Sequence, residues 1–203
     1  MDVTIIGTGN MARGIGARVV AGGHGLTVLG RERAEAEALA AELGGGARAG
    51  EVGEPAESDL VVLAVPYEAA ADLARRYDGA TIVDITNPVD FSSFEPIHPG
   101  AGSAAEEIQA AAPGARVVKA FNTTFAGTLA EGAVAGQPLD VLIAGDDEEA
   151  KGRVARLARD GGMTPRDAGP LRRARELEAA GYLHMALTQG TEAPFGTALR
   201  VVA

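Results

Sequence analysis

Six residues close to the start of the chain, Gly7-Thr8-Gly9-Asn10-Met11-Ala12, have types and spacing that suit the binding of a pyrophosphate. In a G-x-G-x-x-A turn the first glycine permits the sharp bend. The second carries no side chain that would keep a phosphate off the backbone. The small sixth residue lets the following helix pack close to the strand. The free N–H groups of the helix's first turn then point at the phosphates, and the helix dipole favours negative charge there. Such a turn has this meaning only between a strand and a helix. Val3-Thr4-Ile5-Ile6 precedes it as a short apolar strand, and Ala12, Ile15 and Val19 follow at helical spacing. The pattern predicts a dinucleotide site; the alternative is an α/β turn without a ligand.

A second candidate lies past the next strand, where Leu26-Thr27-Val28-Leu29 continues into Gly30-Arg31-Glu32-Arg33. In such folds an acidic residue here meets the ribose 2′-hydroxyl of NAD, and a basic one accommodates the 2′-phosphate of NADP. Arg31 is the first side chain past the strand and could grip a phosphate through its planar fork, with Arg33 near enough to assist. This favours NADP. Glu32 would meet a hydroxyl instead if the strand ended one residue later, and both arginines could be a solvated helix start.

The elements that would hold these residues alternate strand and helix. Leu60-Val61-Val62-Leu63-Ala64-Val65 is a continuous apolar run, as expected of a strand covered on both faces, and Pro66 stops it. Tyr67, Ala70, Leu73 and Tyr77 stripe a helix, and Thr81-Ile82-Val83-Asp84 is another strand. Residues 86–102 read as a long loop, of a length that is usually functional. Ser103 and Glu106 form a capping box, and Val117-Val118-Lys119-Ala120 is a further strand. The alternation predicts an α/β, Rossmann-type, doubly wound and mostly parallel sheet over residues 1–127. Residues 128–203 are expected to form a small C-terminal α/β part packed on it. In that part Leu139 to Ala144 is a strand, Asp146 can cap a helix marked by Ala150, Val154 and Leu157, and Thr164 to Asp167 is an edge strand. Leu177, Ala180, Leu183 and Leu187 stripe a last helix.

Composition bounds the chemistry. The chain has 203 residues, 46% of them hydrophobic, enough for a packed core. It has no cysteine, which removes disulfides, thiolate metal ligands and thiol nucleophiles. A formal net charge of −10, from 28 acidic and 18 basic side chains, argues against nucleic acid as a partner. It also requires any anionic ligand to be held by local positive groups. Met1-Asp2 leads straight into the first strand and no apolar run reaches membrane-spanning length, so a soluble, cytoplasmic protein is expected. His24, His98 and His184 are not at metal-ligand spacing. His24 is expected in a turn and His184 as a packing residue, while His98 could line an acceptor pocket. Asp146-Asp147-Glu148-Glu149 is read as an acidic first helical turn rather than a calcium site.

From the glycine turn onward the chain resembles the NADP-dependent coenzyme F420 oxidoreductases. The segments that carry the resemblance are Gly7-Thr8-Gly9-Asn10-Met11, Gly30-Arg31, Val65-Pro66, Ile85-Thr86-Asn87-Pro88, Lys119-Ala120-Phe121-Asn122-Thr123, Ala144-Gly145-Asp146-Asp147 and Asp167-Ala168-Gly169-Pro170-Leu171 with Arg175 and Leu177. They run in family order over about residues 1–187. The resemblance implies hydride exchange between NADP and the deazaflavin coenzyme F420, with no catalytic nucleophile and no metal. It implies that Thr8, Asn10, Met11 and Arg31 belong to the NADP site. Ala64, Val65 and Pro66 would border the ribose and nicotinamide, and the Asn122 to Ala126 loop would lie near the nicotinamide. Asn87, before Pro88, either bonds a ligand or sets the turn. Gly30 stands where many members carry a hydroxyl residue, and after Leu187 the match fades. A homodimer that completes the acceptor pocket is a further expectation.

Three other readings share the opening motif. Pyrroline-carboxylate reductases and hydroxyacid dehydrogenases add a large helical domain, for which little chain remains, and the latter use a helical lysine. The only lysines here are Lys119 and Lys151. An NADPH-dependent reductase of another acceptor (flavin, quinone or metal) and a non-catalytic NADP-binding module remain as alternatives.

Overall fold

The computed structural model describes residues 1–55 and 57–202. It opens with β1 (Asp2–Ile6), α1 (Asn10–Ala21), β2 (Gly25–Gly30), α2 (Arg33–Leu43) and β3 (Arg48–Glu51). Then come β4 (Leu60–Leu63), α3 (Tyr67–Ala74), β5 (Thr81–Asp84), β6 (Val89–Asp90), β7 (Glu95–Pro96), α4 (Ala104–Ala111) and β8 (Arg116–Lys119). The chain continues as α5 (Ala126–Glu131), β9 (Ala133–Val134), β10 (Gln137–Pro138), β11 (Asp140–Gly145), α6 (Glu148–Asp160), β12 (Thr164–Gly169) and α7 (Ala174–Thr188).

Across the described residues eight strands form one sheet in the order β12-β11-β8-β5-β4-β1-β2-β3. From β3 to β8 all neighbours are parallel, the doubly wound order of a Rossmann domain. β11 then pairs antiparallel with β8, and β12 lies parallel on β11 at the edge. Residue 127/128, the expected division, falls inside α5, and both parts contribute strands to this one sheet.

The strands fold as their composition demands. Leu60, Val61, Val62 and Leu63 are all fully buried, because helices cover both faces of the sheet. One core layer gathers Ile5, Ile15, Val62 and Leu129; the other gathers Ile6, Leu63, Ala70 and Ile108. Pro165 sits in β12 at the sheet edge, where its missing donor costs nothing.

Three local expectations are corrected. The loop of residues 86–102 contains a small antiparallel hairpin, β6 with β7. Asp147, not Asp146, caps α6 and accepts from Ala150 N at 2.8 Å; Asp146 instead accepts from Leu171 N at 2.9 Å. On α7, Leu183 and Leu187 are 57% and 60% exposed, while Gly181, His184, Met185 and Thr188 are buried. A Cβ at Gly181 would lie 2.6 Å from Asn87 Oδ1, so this small residue sets the face along which α7 docks. Among the described residues no helix is long and apolar enough to cross a membrane.

Candidate functional site

The glycine turn is built as its residue types require. Gly7 has φ +122°, and a Cβ there would lie 2.2 Å from Ala64 O. Gly9, the first flanking residue of α1, has open space where a Cβ would stand, and no side chain caps the helix. The N–H groups of Asn10, Met11 and Ala12 therefore open onto a space a pyrophosphate can enter.

At the end of β2 the two arginines differ. Arg33 is paired with Glu54, and its Nε lies 3.8 Å from Glu51. Arg31 is exposed and has no carboxylate partner among the described residues. Glu32 flanks the start of α2 and is exposed. A Cβ on Gly30 would meet Glu32 O at 2.9 Å and Thr8 Cγ2 at 3.0 Å, so a side chain here would crowd the glycine turn. The Thr8 hydroxyl donates to Glu35 Oε2 at 3.0 Å, closing α2 against the turn.

Beyond α1 a cavity of about 480 Å³ opens at the carboxyl ends of β1, β4, β5 and β8. That edge is where open α/β sheets bind ligands. Gly9, Asn10, Met11, Ala64, Val65 and Pro66 line it from one side. Asn87, Asn122, Phe125 and Met185 line it as well. Gly7, Thr8, Gly30, Arg31 and Arg33 do not line it; they lie around the glycine turn and the end of β2. Ala126 lines a neighbouring cavity of about 470 Å³, shared with Arg13 and Phe195. Phe121 is fully buried in the core rather than at the edge. His98 lines a separate cavity of about 210 Å³.

Polar groups in the main cavity are few and fixed. Asn122 Nδ2 donates to Asn87 Oδ1 at 2.9 Å and to Leu177 O at 2.8 Å, and Asn87 Nδ2 donates to Asn122 O at 2.8 Å. Asn87 thus sets the turn and faces the cavity at once. Two buried oxygens on lining residues, Asn122 Oδ1 and Thr86 Oγ1, have no hydrogen-bond partner. Such orphans are costly. Asn122 and Thr86 give the cavity a neutral polar wall, a lining that suits the uncharged carboxamide end of a dinucleotide. No charged side chain lines the cavity among the described residues. Tyr67 donates to Glu107 Oε2 at 2.7 Å; burial, and then that carboxylate, push its phenol up to about 12, so it stays neutral.

A buried ion cluster holds the site from behind. Lys119 Nζ, fully buried, lies 2.7 Å from Asp84 Oδ2 and 2.8 Å from Glu178 Oε1. Glu178 also accepts from Ala104 N at 3.1 Å at the start of α4. Burial raises the Glu178 carboxyl above its ordinary value, and Lys119 opposes that rise. The cluster joins β5, β8, α4 and α7 next to the asparagine pair. His184 packs on the Phe125 ring at 4.4 Å, its Nδ1 donating to Thr123 O at 3.2 Å.

A model of the family described as NADP oxidoreductase, coenzyme F420-dependent, matches residues 2–88, which hold the glycine turn, Arg31 and Asn87. A hypothetical protein of Sinorhizobium meliloti is 31% identical, with 84% of this chain and 86% of that chain covered and a TM-score of 0.77. A proposed F420-dependent NADP reductase of Arthrobacter sp. FB24 is 26% identical, with both chains covered fully and a TM-score of 0.85. Over residues 2–88 this chain belongs to the coenzyme F420-dependent NADP oxidoreductase family. Among curated relatives, the metalloreductase STEAP3 of Rattus norvegicus is 34% identical over 178 residues, 87% of this chain. The chain spans 36% of that relative's length.

Of the residues expected at the cofactor site, Gly9 to Met11, Ala64 to Pro66, Asn87 and Asn122 line one cavity, together with Phe91, Met185 and Phe195, which the sequence did not single out. A signal was present: of the five phenylalanines in the chain, Phe91, Phe125 and Phe195 line this cavity.

Proposed function

We propose that the protein transfers a hydride between NADP(H) and the deazaflavin coenzyme F420. The observation that carries this reading is the cavity itself. It opens beside the N-terminus of α1, at the carboxyl edge of the sheet, and holds no charged side chain among the described residues. Reduction of a carbonyl or imine calls for a proton donor beside the reacting atom, and Tyr67, the phenol in this lining, has its proton committed to Glu107. A fused-ring carrier that takes its proton from water does not. When bound, NADPH supplies two electrons and a proton as hydride to a ring carbon of the acceptor, a solvent proton completes the reduced deazaflavin, and NADP⁺ remains.

The chain's own residues bind, orient and exclude water. The α1 N–H groups and Gly9 take the pyrophosphate, and Arg31 takes the 2′-phosphate. Ala64, Val65 and Pro66 border the nicotinamide ribose, and Asn122 with Thr86 holds the carboxamide. Phe125 and Met185 keep water from the contact between rings. Such proximity and orientation are the main source of rate for a transfer between two carriers.

The likeness to a metalloreductase supports a second reading, in which NADPH reduces a flavin, quinone or metal instead. Anaerobic stopped-flow oxidation of NADPH separates the two. Purified protein is mixed with F420, FMN, a soluble quinone or a ferric chelate in turn. The proposal expects F420 to be the fastest acceptor. A faster flavin, quinone or ferric chelate selects the second reading. NADPH that binds without being oxidised by any of them indicates a non-catalytic module.

A further inference from the structure

Two aromatic rings at the cavity keep much of their surface in solvent. Phe91 is 75% exposed and Phe195 47% exposed, yet both line the cavity. Leaving ring surface in water forgoes the stabilisation that burying it would bring. The backbone nevertheless holds both rings where they are.

Phe91 follows β6 in a pinned turn. The Asp90 carboxylate accepts from Ser92 N at 2.8 Å, from the Ser92 hydroxyl at 2.7 Å and from the Ser93 hydroxyl at 3.0 Å. The hairpin is fastened to α7, where Tyr182 OH donates to Phe94 O at 3.2 Å and the two rings lie 5.8 Å apart. Phe195 has φ +59°, a left-handed conformation that strains a bulky residue. Its N–H donates to Thr188 Oγ1 at 2.8 Å, and its ring meets Phe125 edge-on at 5.3 Å. The segment after it is tied back through Thr197, whose hydroxyl lies 2.8 Å from His184 Nε2.

The cavity offers an entering molecule aromatic and apolar surface and a few neutral polar groups. A highly charged metal chelate would lose hydration there and gain no opposite charge. A flat fused-ring heterocycle would lose little and stack. Resting on the hydride-transfer reading of this site, we propose that Phe91 and Phe195 form an aromatic clamp that binds the fused ring of the acceptor. The clamp selects deazaflavin or flavin rings over metal chelates and leaves any anionic tail in solvent.

The test is equilibrium binding, which is independent of turnover. Protein loaded with NADP⁺ is titrated with oxidised F420 and, separately, with FMN, for the full chain and for Phe91→Ala, Phe91→Trp and Phe195→Ala. Because Phe91 is exposed, Phe91→Ala keeps the fold, and NADPH affinity, read from its own fluorescence, checks that the dinucleotide end is intact. Truncating a stacking ring is expected to weaken ring binding by about 5- to 150-fold. Phe91→Trp should retain most of the affinity, and the preference between F420 and FMN identifies the ring that is clamped. Alanine variants that bind both rings as the parent does would overturn the clamp, even where the parent transfers hydride. An equal loss of NADPH and ring affinity in Phe91→Ala would also overturn it, as would a parent protein that binds neither ring. Ring binding that depends on Phe91 but leads to no NADPH oxidation would uphold the clamp and remove the hydride-transfer reading.

Discussion

Gly7 and Gly9 belong to one motif but should fail in different ways. Alanine at Gly7 demands φ +122° and a Cβ 2.2 Å from Ala64 O, so it should cost about 3 kcal/mol or more of stability, read by urea unfolding. Alanine at Gly9 enters open space at ordinary φ, so stability should change by no more than about 1 kcal/mol. Its methyl group would instead occupy the room meant for the pyrophosphate. NADPH and NADH should therefore both bind more weakly. Arg31→Ala should discriminate between them. Losing a charged hydrogen bond to phosphate costs roughly 1.5–3 kcal/mol, or about 10- to 150-fold in affinity for NADPH, with NADH nearly unaffected. Equal losses would mean that Arg31 does not read the 2′-phosphate. The shape of the turn and the position of Arg31 just past β2 were legible, because both follow from local sequence. The pairing of Arg33 with Glu54 was not legible, since it depends on where the chain after β3 returns.

At the scale of elements, α7 is the part whose placement the sequence concealed. Its leucine spacing pointed to one buried face, whereas Gly181 and two polar anchors select another. The anchors are Glu178 on the Lys119–Asp84 pair and the Leu177 carbonyl on Asn122. A buried carboxylate in a helix has no periodic signature, and Lys119 read as an unremarkable strand residue. Lys119→Met would leave two buried carboxylates without their cation, and should destabilise the fold by about 3–5 kcal/mol by chemical denaturation. His184 adds a pH dependence. Burial lowers its pKa below 6.5, partly offset by the bond to Thr123 O, so the folded chain favours the neutral ring and the unfolded chain protonates first. Its contribution is present above pH 6.5 and is lost as pH falls through the lowered value. The urea midpoint should drop as pH falls below 6.5, and less so in His184→Gln. An identical pH slope in the two proteins would remove His184 as a source of the effect.

For the whole molecule, the alternation of apolar runs with helical stripes made the doubly wound sheet readable, because each strand covered on both faces must be apolar throughout. The antiparallel join of β11 to β8 was not readable, since the sense of a strand leaves no mark on its composition. The exposed Leu183 and Leu187, four residues apart on α7, support the homodimer we propose. Light scattering at micromolar concentration should then give twice the 20.6 kDa chain mass; the monomer mass would exclude it.

The central claim is direct transfer between two rings held in one cavity at the carboxyl edge of the sheet. It is tested most directly by a single anaerobic turnover with NADPH carrying deuterium at its transferable position, followed by mass analysis of the reduced F420. The account expects the deuterium in the deazaflavin ring and none released to water. Label appearing in water, or an F420 that stays oxidised while NADPH is consumed by another acceptor, would contradict it.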